Sequence, residues 1–386
     1  MFPSNVALLL LLIQGPAAAI LLSRLLQGPG RRPPLQPKSP TLDLLGKVSV
    51  VVPTLNEAER IGPCLDGLTH QSYEVREILV VDSRSEDGTP ELVKTAQQSD
   101  PRFRLLTDDP LPAGWVGRPW ALHTGFLHTS PASEWVLGID ADTQPQPGLV
   151  ASLVQAADQE GLDLVSLSPR FILKSVGEQL LQPALLLTLV YRFGPAGERS
   201  NGAERVMANG QCFLARRALL EQLDGYSCAR ASFCDDVTLA RAAAASGAKV
   251  GFLDGCQVLK VRMYASALET WHEWGRSLDL KDATSPAQKW GDLGFLLAVQ
   301  ALPWLALPLL LLAEPSLPVQ VAIGLNASLL LTRFALLLAI RGSYEQVGWA
   351  FWLSPLADPL AVLRIAISTL STPKRWRGRD YSSFGA

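Results

Sequence analysis

Short apolar runs rich in β-branched residues, at positions 48–52, 78–81, 135–139, 164–167 and 250–253, alternate with helical patterns through the middle of the chain. Runs that are apolar at every position suit strands covered on both faces. Their alternation with helices predicts an α/β domain on a mostly parallel sheet. The ends of the chain read differently. Residues 6–22 are apolar, with Leu25 and Leu26 just beyond, and three later blocks cover residues 293–313, 319–340 and 349–370. A helix crosses the hydrocarbon layer with about 20 apolar residues, so the first block and the next two are long enough to span.

Charge at the flanks orders these blocks. Arg24, Arg31, Arg32 and Lys38 follow the first one, whereas a secretory signal peptide carries its charge in front. The expectation is a signal anchor over residues 1–27 whose carboxyl flank faces the cytoplasm. Residues 28–46, rich in Pro and basic side chains, read as an extended linker. A catalytic domain is expected over residues 47–290. The region 291–371 must accommodate Pro303, Pro308 and the intramembrane Arg333. Its last block contains Pro355, Asp358, Pro359 and Arg364, and the tail 372–386 carries Lys374, Arg375, Arg377 and Arg379. Three full crossings would put that basic tail outside, against the charge rule, so two spans plus a broken or interfacial segment are expected. Another apolar stretch, residues 180–190, is either a core helix or an amphipathic helix at the bilayer surface.

Composition narrows the function classes. Hydrophobic residues make up 48% and charged ones 18% of the 386 residues, below the roughly 25% charged content of soluble domains. The net charge of −2 leaves no electrostatic footprint for nucleic acid. Cys64, Cys212, Cys228, Cys234 and Cys256 form an odd set without a C-x-x-C pair, so they read as reduced structural thiols.

Candidate chemistry gathers at the strand ends. The first strand runs into Pro53-Thr54-Leu55-Asn56-Glu57, the second ends at Asp82, and the third delivers Asp140-Ala141-Asp142. Polar groups at the carboxyl ends of neighbouring parallel strands converge on the crevice where such sheets bind ligands. Side chains at i and i+2 point the same way on an extended backbone, so both acids can face one ligand. A hard divalent cation, Mg²⁺ or Mn²⁺, takes one or two carboxylates and completes its shell from diphosphate and water. Each acid could alternatively be a turn or cap residue. Asp235-Asp236 open a later helix, where acids often serve only the helix dipole. Two adjacent acids raise one pKa, which suits a base for an incoming hydroxyl. One base opposite a leaving diphosphate implies inversion at the anomeric carbon.

The order and spacing of Pro53 to Glu57, Asp82, Asp140-Ala141-Asp142, Asn209-Gly210-Gln211 and Asp235-Asp236 resemble the family 2 glycosyltransferases with a GT-A fold, over residues 47–290. The resemblance implies a nucleotide-diphospho-sugar transferase domain flanked by N- and C-terminal transmembrane helices. Pro53, Thr54, Glu57, Asp82, Arg118 and Asp140 would bind the nucleotide-sugar, and Asp142 with Asp140 the Mg²⁺ or Mn²⁺. Asp236 would be the base with Asp235 beside it, and Gln211, Trp271, Trp274 and Arg276 would face the acceptor. The segment Gly114-Trp115-Val116-Gly117-Arg118-Pro119-Trp120-Ala121-Leu122 is similar to one in membrane-bound members that glycosylate carotenoids, and in the hopanoid-associated branch; a lysine is common where this chain has Arg118. For Trp115 and Trp120 core packing is the preferred reading over contact with the acceptor. Processive members carry Q-x-x-R-W near residues 263–276, and this chain does not. The tail Trp376-Arg377-Gly378-Arg379-Asp380-Tyr381 resembles tails of lipid-directed members on the cytosolic side. The implied activity is transfer of one sugar to a membrane lipid, a hydroxylated carotenoid first, with hopanoid, ceramide and polyprenyl phosphate as alternatives. A non-catalytic nucleotide-sugar-binding membrane protein is the competing class.

Overall fold

The computed structural model describes residues 4–197, 202–275, 278–371, 375–376 and 379–380. The chain divides into two compact units. One comprises Met1–Arg31, Leu173–Pro195 and Tyr264–Thr372, the other Arg32–Ile172, Ala196–Met263 and Pro373–Ala386.

The second unit is built on a seven-stranded sheet. Its strands are β1 (Val48–Thr54), β2 (Val75–Asp82), β3 (Phe103–Thr107), β4 (Trp135–Ile139), β6 (Leu164–Ser168), β8 (Cys212–Arg216) and β9 (Val250–Asp254), in the order β3-β2-β1-β4-β8-β6-β9. All pairings are parallel except those of β8 with β4 and β6. A smaller sheet joins β5 (Thr143–Pro145), β7 (Arg170–Phe171) and β10 (Leu259–Val261), with β10 central. The five runs read from the sequence are all strands. β3 and β8 escape a reading by apolar continuity because polar or charged residues interrupt or end them.

Alternation along the strands assigns each face its own core. Val48, Val50 and Val52 of β1, with Trp135, Leu137 and Ile139 of β4, enter one buried cluster. Val51 and Val136 enter the other. Each fully buried Val or Leu contributes roughly 1.5–3 kcal/mol relative to exposure. The helices of this unit are α2 (Gly62–Thr69), α3 (Thr89–Ser99), α4 (Gly117–His128), α5 (Leu149–Glu160), α7 (Arg217–Gln222) and α8 (Asp235–Ala245). Helix α4 lies so close to β1 that a Cβ on Gly125 would stand 2.2 Å from Val51 Cγ1. Only glycine permits that approach, and it sets where the first turn of α4 delivers Arg118. Residues 32–46 are laid along this unit: Leu35 N–H donates to Asp254 O at 2.7 Å, and Tyr73 Oη donates to Pro40 O at 2.8 Å.

The first unit holds the long apolar helices α1 (Ser4–Leu25) and α6 (Val176–Phe193), with later ones. Segments Ser4–Gly30, Pro286–Leu311 and Leu317–Ser343 are each long and apolar enough to cross a membrane. A π-helical turn, Leu297–Ala301, precedes Pro303 and absorbs the backbone bond that proline cannot make. The last apolar block is broken into Trp349–Trp352, a 3₁₀ turn Ser354–Ala357 and a helix Asp358–Leu370. Arg333 is buried, its Nε donating to Asp358 Oδ2 at 2.7 Å and its Nη2 to Ser354 Oγ at 3.2 Å, so the intramembrane cation has its counter-ion at the break. Gln14 and Asn326 exchange side-chain amide bonds of 2.9 and 3.0 Å. The apolar stretch 180–190 lies in α6, and Leu181, Ala184, Leu185 and Leu187 are buried with residues of these helices. Burial on several sides explains why α6 belongs to this unit although its neighbours in sequence belong to the sheet.

Candidate active site

Two loops at the carboxyl ends of β1 and β2 interlock. Thr54 pairs with Asp82 across the strands, and its Oγ1 donates to Asp82 Oδ1 at 3.0 Å. The same carboxylate accepts from Ser85 N–H at 2.9 Å and Ser85 Oγ at 2.6 Å. Asn56, at φ 55°, bridges back: its N–H donates to Ser85 Oγ at 2.8 Å and its Oδ1 accepts from Glu86 N–H at 2.9 Å. Asparagine tolerates this left-handed conformation better than most residues. Glu57 N–H donates to Thr89 Oγ1 and Ala58 N–H to Asp87 Oδ2, both at 2.9 Å. Slight burial alone would raise the Asp87 carboxyl. Bonds from the Thr89 hydroxyl and from the N–H groups of Ala58 and Thr89 outweigh it and hold the group below its ordinary range.

At the end of β4 the turn closes on itself. Thr143 donates to Asp140 O through its N–H at 3.2 Å and its Oγ1 at 2.7 Å, and Asp140 N–H donates to Gln211 O at 3.1 Å. Arg118 reaches into this acidic centre. Its Nε donates to Asp140 Oδ1 at 3.0 Å, its Nη2 to Gly210 O at 2.6 Å, and its Nη1 pairs with Asp235 Oδ2. A Cβ on Gly210 would meet Arg118 Nη2 at 2.6 Å, so a glycine is needed under the guanidinium. Gly210 N–H donates to Asp236 Oδ2 at 2.7 Å. The turn that carries Gly210 is held by Asn209, which donates to Gln211 Oε1 and accepts from Gln211 N–H, both at 3.0 Å.

These carboxyls are poorly matched by cations. Burial first, then the charge of Asp140, pushes Asp142 up to about 8, against the pull of Arg60 and Arg118. Burial raises Asp235 to about 7, Arg118 opposing and Asp236 and Asp140 adding to the rise. Asp236 is raised by burial too, although Arg118 and the N–H groups of Val237 and Gly210 hold it back. Asp142 Oδ1 is buried without a hydrogen-bond partner. A buried acceptor left bare beside a second carboxylate suits a divalent cation, and the all-oxygen pair suits Mg²⁺ or Mn²⁺. Among the described residues no cluster of three or more His, Cys, Asp or Glu could hold a metal, so other ligand oxygens would come from diphosphate and water.

Of the residues singled out from the sequence, Asp140, Asp235, Asp236, Arg118 and Gly210 form one connected network. Asp142 adjoins it, and Thr54 with Asp82 forms the second network. Gln211 is buried beneath the acidic centre. Pro53 lies in β1 and Glu57 on the loop after it. Trp115 and Trp120 pack edge to face at 5.1 Å, Trp115 also meets the ring of His123 at 4.9 Å, and Trp120 Nε1 donates to Asp108 O, so both serve packing. Trp271 and Trp274 belong to the other unit, in the π-helical turn Thr270–Trp274, where Arg364 Nε donates to Trp271 O at 2.7 Å. Arg276 and most of the basic tail lie outside the described residues. Sequence reading missed Ser85, Asp87 and Thr89 as the ties between the loops after β1 and β2. It also missed Arg60. An Asp-Gly-Thr turn after a strand was the available signal for the former.

Residues 49–224 match the family Glycosyl transferase family 2. The chain is 32% identical over 120 residues to the glycosyltransferase AglE of Haloferax volcanii, covering 31% of this chain and 38% of that protein. It is 25% identical over 234 residues to a 4,4'-diaponeurosporenoate glycosyltransferase of Staphylococcus haemolyticus, covering 60% of each. An undecaprenyl-phosphate 4-deoxy-4-formamido-L-arabinose transferase of Yersinia pestis is 34% identical over 125 residues, 31% of this chain and 36% of that protein. The chain thus spans between 36% and 60% of the length of these curated relatives. Among solved structures, the mannosyltransferase PcManGT from Pyrobaculum calidifontis, in complex with GDP-Man and Mn²⁺, superimposes with a TM-score of 0.57 at 22% identity, covering 95% of this chain and 98% of that one. The fold is GT-A.

Proposed function

We propose that this chain, whose residues 49–224 carry a family 2 glycosyltransferase domain, transfers one sugar from a nucleotide-sugar to a hydroxyl of a membrane lipid with inversion. The observation that carries this reading is the gathering of four acids from two distant stretches, Asp140 with Asp142 and Asp235 with Asp236, around Arg118 and the Gly210 turn.

In this reading Thr54, Glu57 and Asp82 hold the nucleoside, and Asp140 and Asp142 hold a divalent cation. When bound, that cation neutralises charge on the departing nucleoside diphosphate. Asp236 accepts the proton of the acceptor hydroxyl while its oxygen bonds to the anomeric carbon and the diphosphate oxygen leaves from the opposite face. Gly210 N–H fixes one oxygen of Asp236. Asp235, tied to Arg118, positions the guanidinium rather than receiving a proton. Gln211, Trp271, Trp274 and Arg276 are assigned to the acceptor side.

Three helices long enough to cross a membrane support an acceptor that stays in the bilayer. A hydroxylated carotenoid is favoured, because the similarity to the diaponeurosporenoate enzyme extends over 60% of both chains. A polyprenyl phosphate is the second reading, from the higher identity over a shorter stretch to the undecaprenyl-phosphate enzyme. Basic residues at the end of α1 and after it, Arg24, Arg31 and Arg32, favour a catalytic domain facing the cytoplasm.

The test is Asp236→Asn. Transfer should fall by about 10²–10⁴-fold while donor affinity holds, because a general base acts on the acceptor alone. Retained transfer, or an equal loss of donor binding, would sink the assignment. Mass spectrometry of lipids and pigments from cells with and without this gene then identifies the acceptor.

A further inference from the structure

Arg118 cannot serve a diphosphate freely, because its nitrogens are committed to Asp140, Asp235 and Gly210 O. A second cation stands near Asp142. Arg60 lies on the loop between β1 and α2, and its charge acts on the Asp142 carboxyl. Its Nη1 donates to Met263 O at 2.8 Å. The residue before Met263 meets the acidic turn: β10 pairs Val261 with Thr143, and Arg262 N–H donates to Asp142 O at 3.2 Å. The loop is pinned behind Arg60 by the bonds of Glu57 to Thr89 and Ala58 to Asp87, and Arg60 N–H donates to Glu57 O at 2.9 Å.

The sheet order makes this location informative. β1 lies between β2, which ends in Asp82, and β4, which leads to Asp140 and Asp142. A ligand with its nucleoside at Asp82 and its metal-bound phosphates at Asp142 must cross the loop after β1. Arg60 stands where that crossing ends, partly exposed. The phosphates bring negative charge to a centre whose carboxylates already exceed its cations, and a guanidinium offers paired donors to phosphate oxygens.

We propose that Arg60 is a phosphate-binding residue of this cleft. The inference rests on the nucleotide-sugar reading above and adds a contact to it. The phosphate belongs either to the donor diphosphate or to a phosphate-bearing lipid acceptor.

The experiment compares wild type, Arg60→Gln and Arg60→Lys as full-length protein in detergent. Calorimetry measures affinity for uridine and guanosine diphosphates and for the matching nucleosides, with Mn²⁺ present. If the donor supplies the phosphate, Arg60→Gln weakens diphosphate binding about tenfold or more, leaves nucleoside binding unchanged, and Arg60→Lys recovers part of the loss. If the acceptor supplies it, donor affinities hold while the KM for polyprenyl phosphate rises about tenfold, with kcat and the KM for a neutral lipid alcohol unchanged. Either result supports the proposal. Equal weakening of nucleoside and diphosphate would show a structural clasp on Met263, and no change in any affinity or KM would show no phosphate contact; both overturn it. Failure of wild type to bind any nucleoside diphosphate would instead defeat the nucleotide-sugar reading and leave Arg60 without a role here.

Discussion

The ends of β1 and β2 and the ends of β4 and α8 are both rich in carboxylates, yet their chemistry differs. Around Asp82 and Asp87, oxygens meet hydroxyl and N–H donors from within two short loops, and the Asp87 carboxyl is held low. Around Asp140, Asp142, Asp235 and Asp236, one arginine is divided among several acids and one buried oxygen has no partner. In the first region the Asp82 and Asp87 carboxylates have donors of their own. The second holds more buried carboxylate than its cations balance. Functional sites commonly sacrifice stability in this way.

Removing Arg118 should widen the contrast most. Arg118→Ala removes the guanidinium paired with half-buried Asp140 and buried Asp235, and deleting one partner of a buried pair costs about 3–5 kcal/mol. The measurement is the denaturant midpoint in detergent, with transfer assayed in parallel. A cost no larger than that of a surface substitution would mean the acids are better solvated than their burial implies.

Asp142→Asn should act in the opposite direction on stability. Replacing an unpartnered buried carboxyl beside Asp140 with a neutral amide should stabilise the metal-free protein by on the order of 1 kcal/mol. The same change should flatten the Mn²⁺ dependence of donor binding. Thermal unfolding with and without Mn²⁺ checks both, and a destabilised metal-free variant would remove the idea of excess buried carboxylate.

The smallest effect is expected at Asp87. Its carboxyl is lowered in the folded state, so the stability it adds is complete above its unfolded pKa and is lost as pH falls through the folded value. Asp87→Ala should therefore show a shallower loss of stability on acidification than wild type. Identical acid limbs in denaturant titrations would show that its bonds add nothing to folding.

Much of this was legible along the chain. Burial of β1 and β4 on both faces follows directly from their apolar runs, and the acids at their ends were visible as strand termini. The antiparallel β8 was not, because Cys212–Arg216 is short and ends in a charge that solvent and neighbouring acids accommodate only after folding. Arg60 was equally hidden: one arginine in a polar loop has no periodicity, and only the pairing of β10 with β5 brings Met263 and Asp142 to it.

Sequence by itself determined what depends on near neighbours: strands from apolar runs, long apolar helices, and the turn acids that cap each strand. Tertiary structure decided which acids share a cation and which oxygen stays bare. Those outcomes follow from distances between residues far apart in the chain, and electrostatic energy in a buried setting depends on such distances and on lost solvent rather than on residue order.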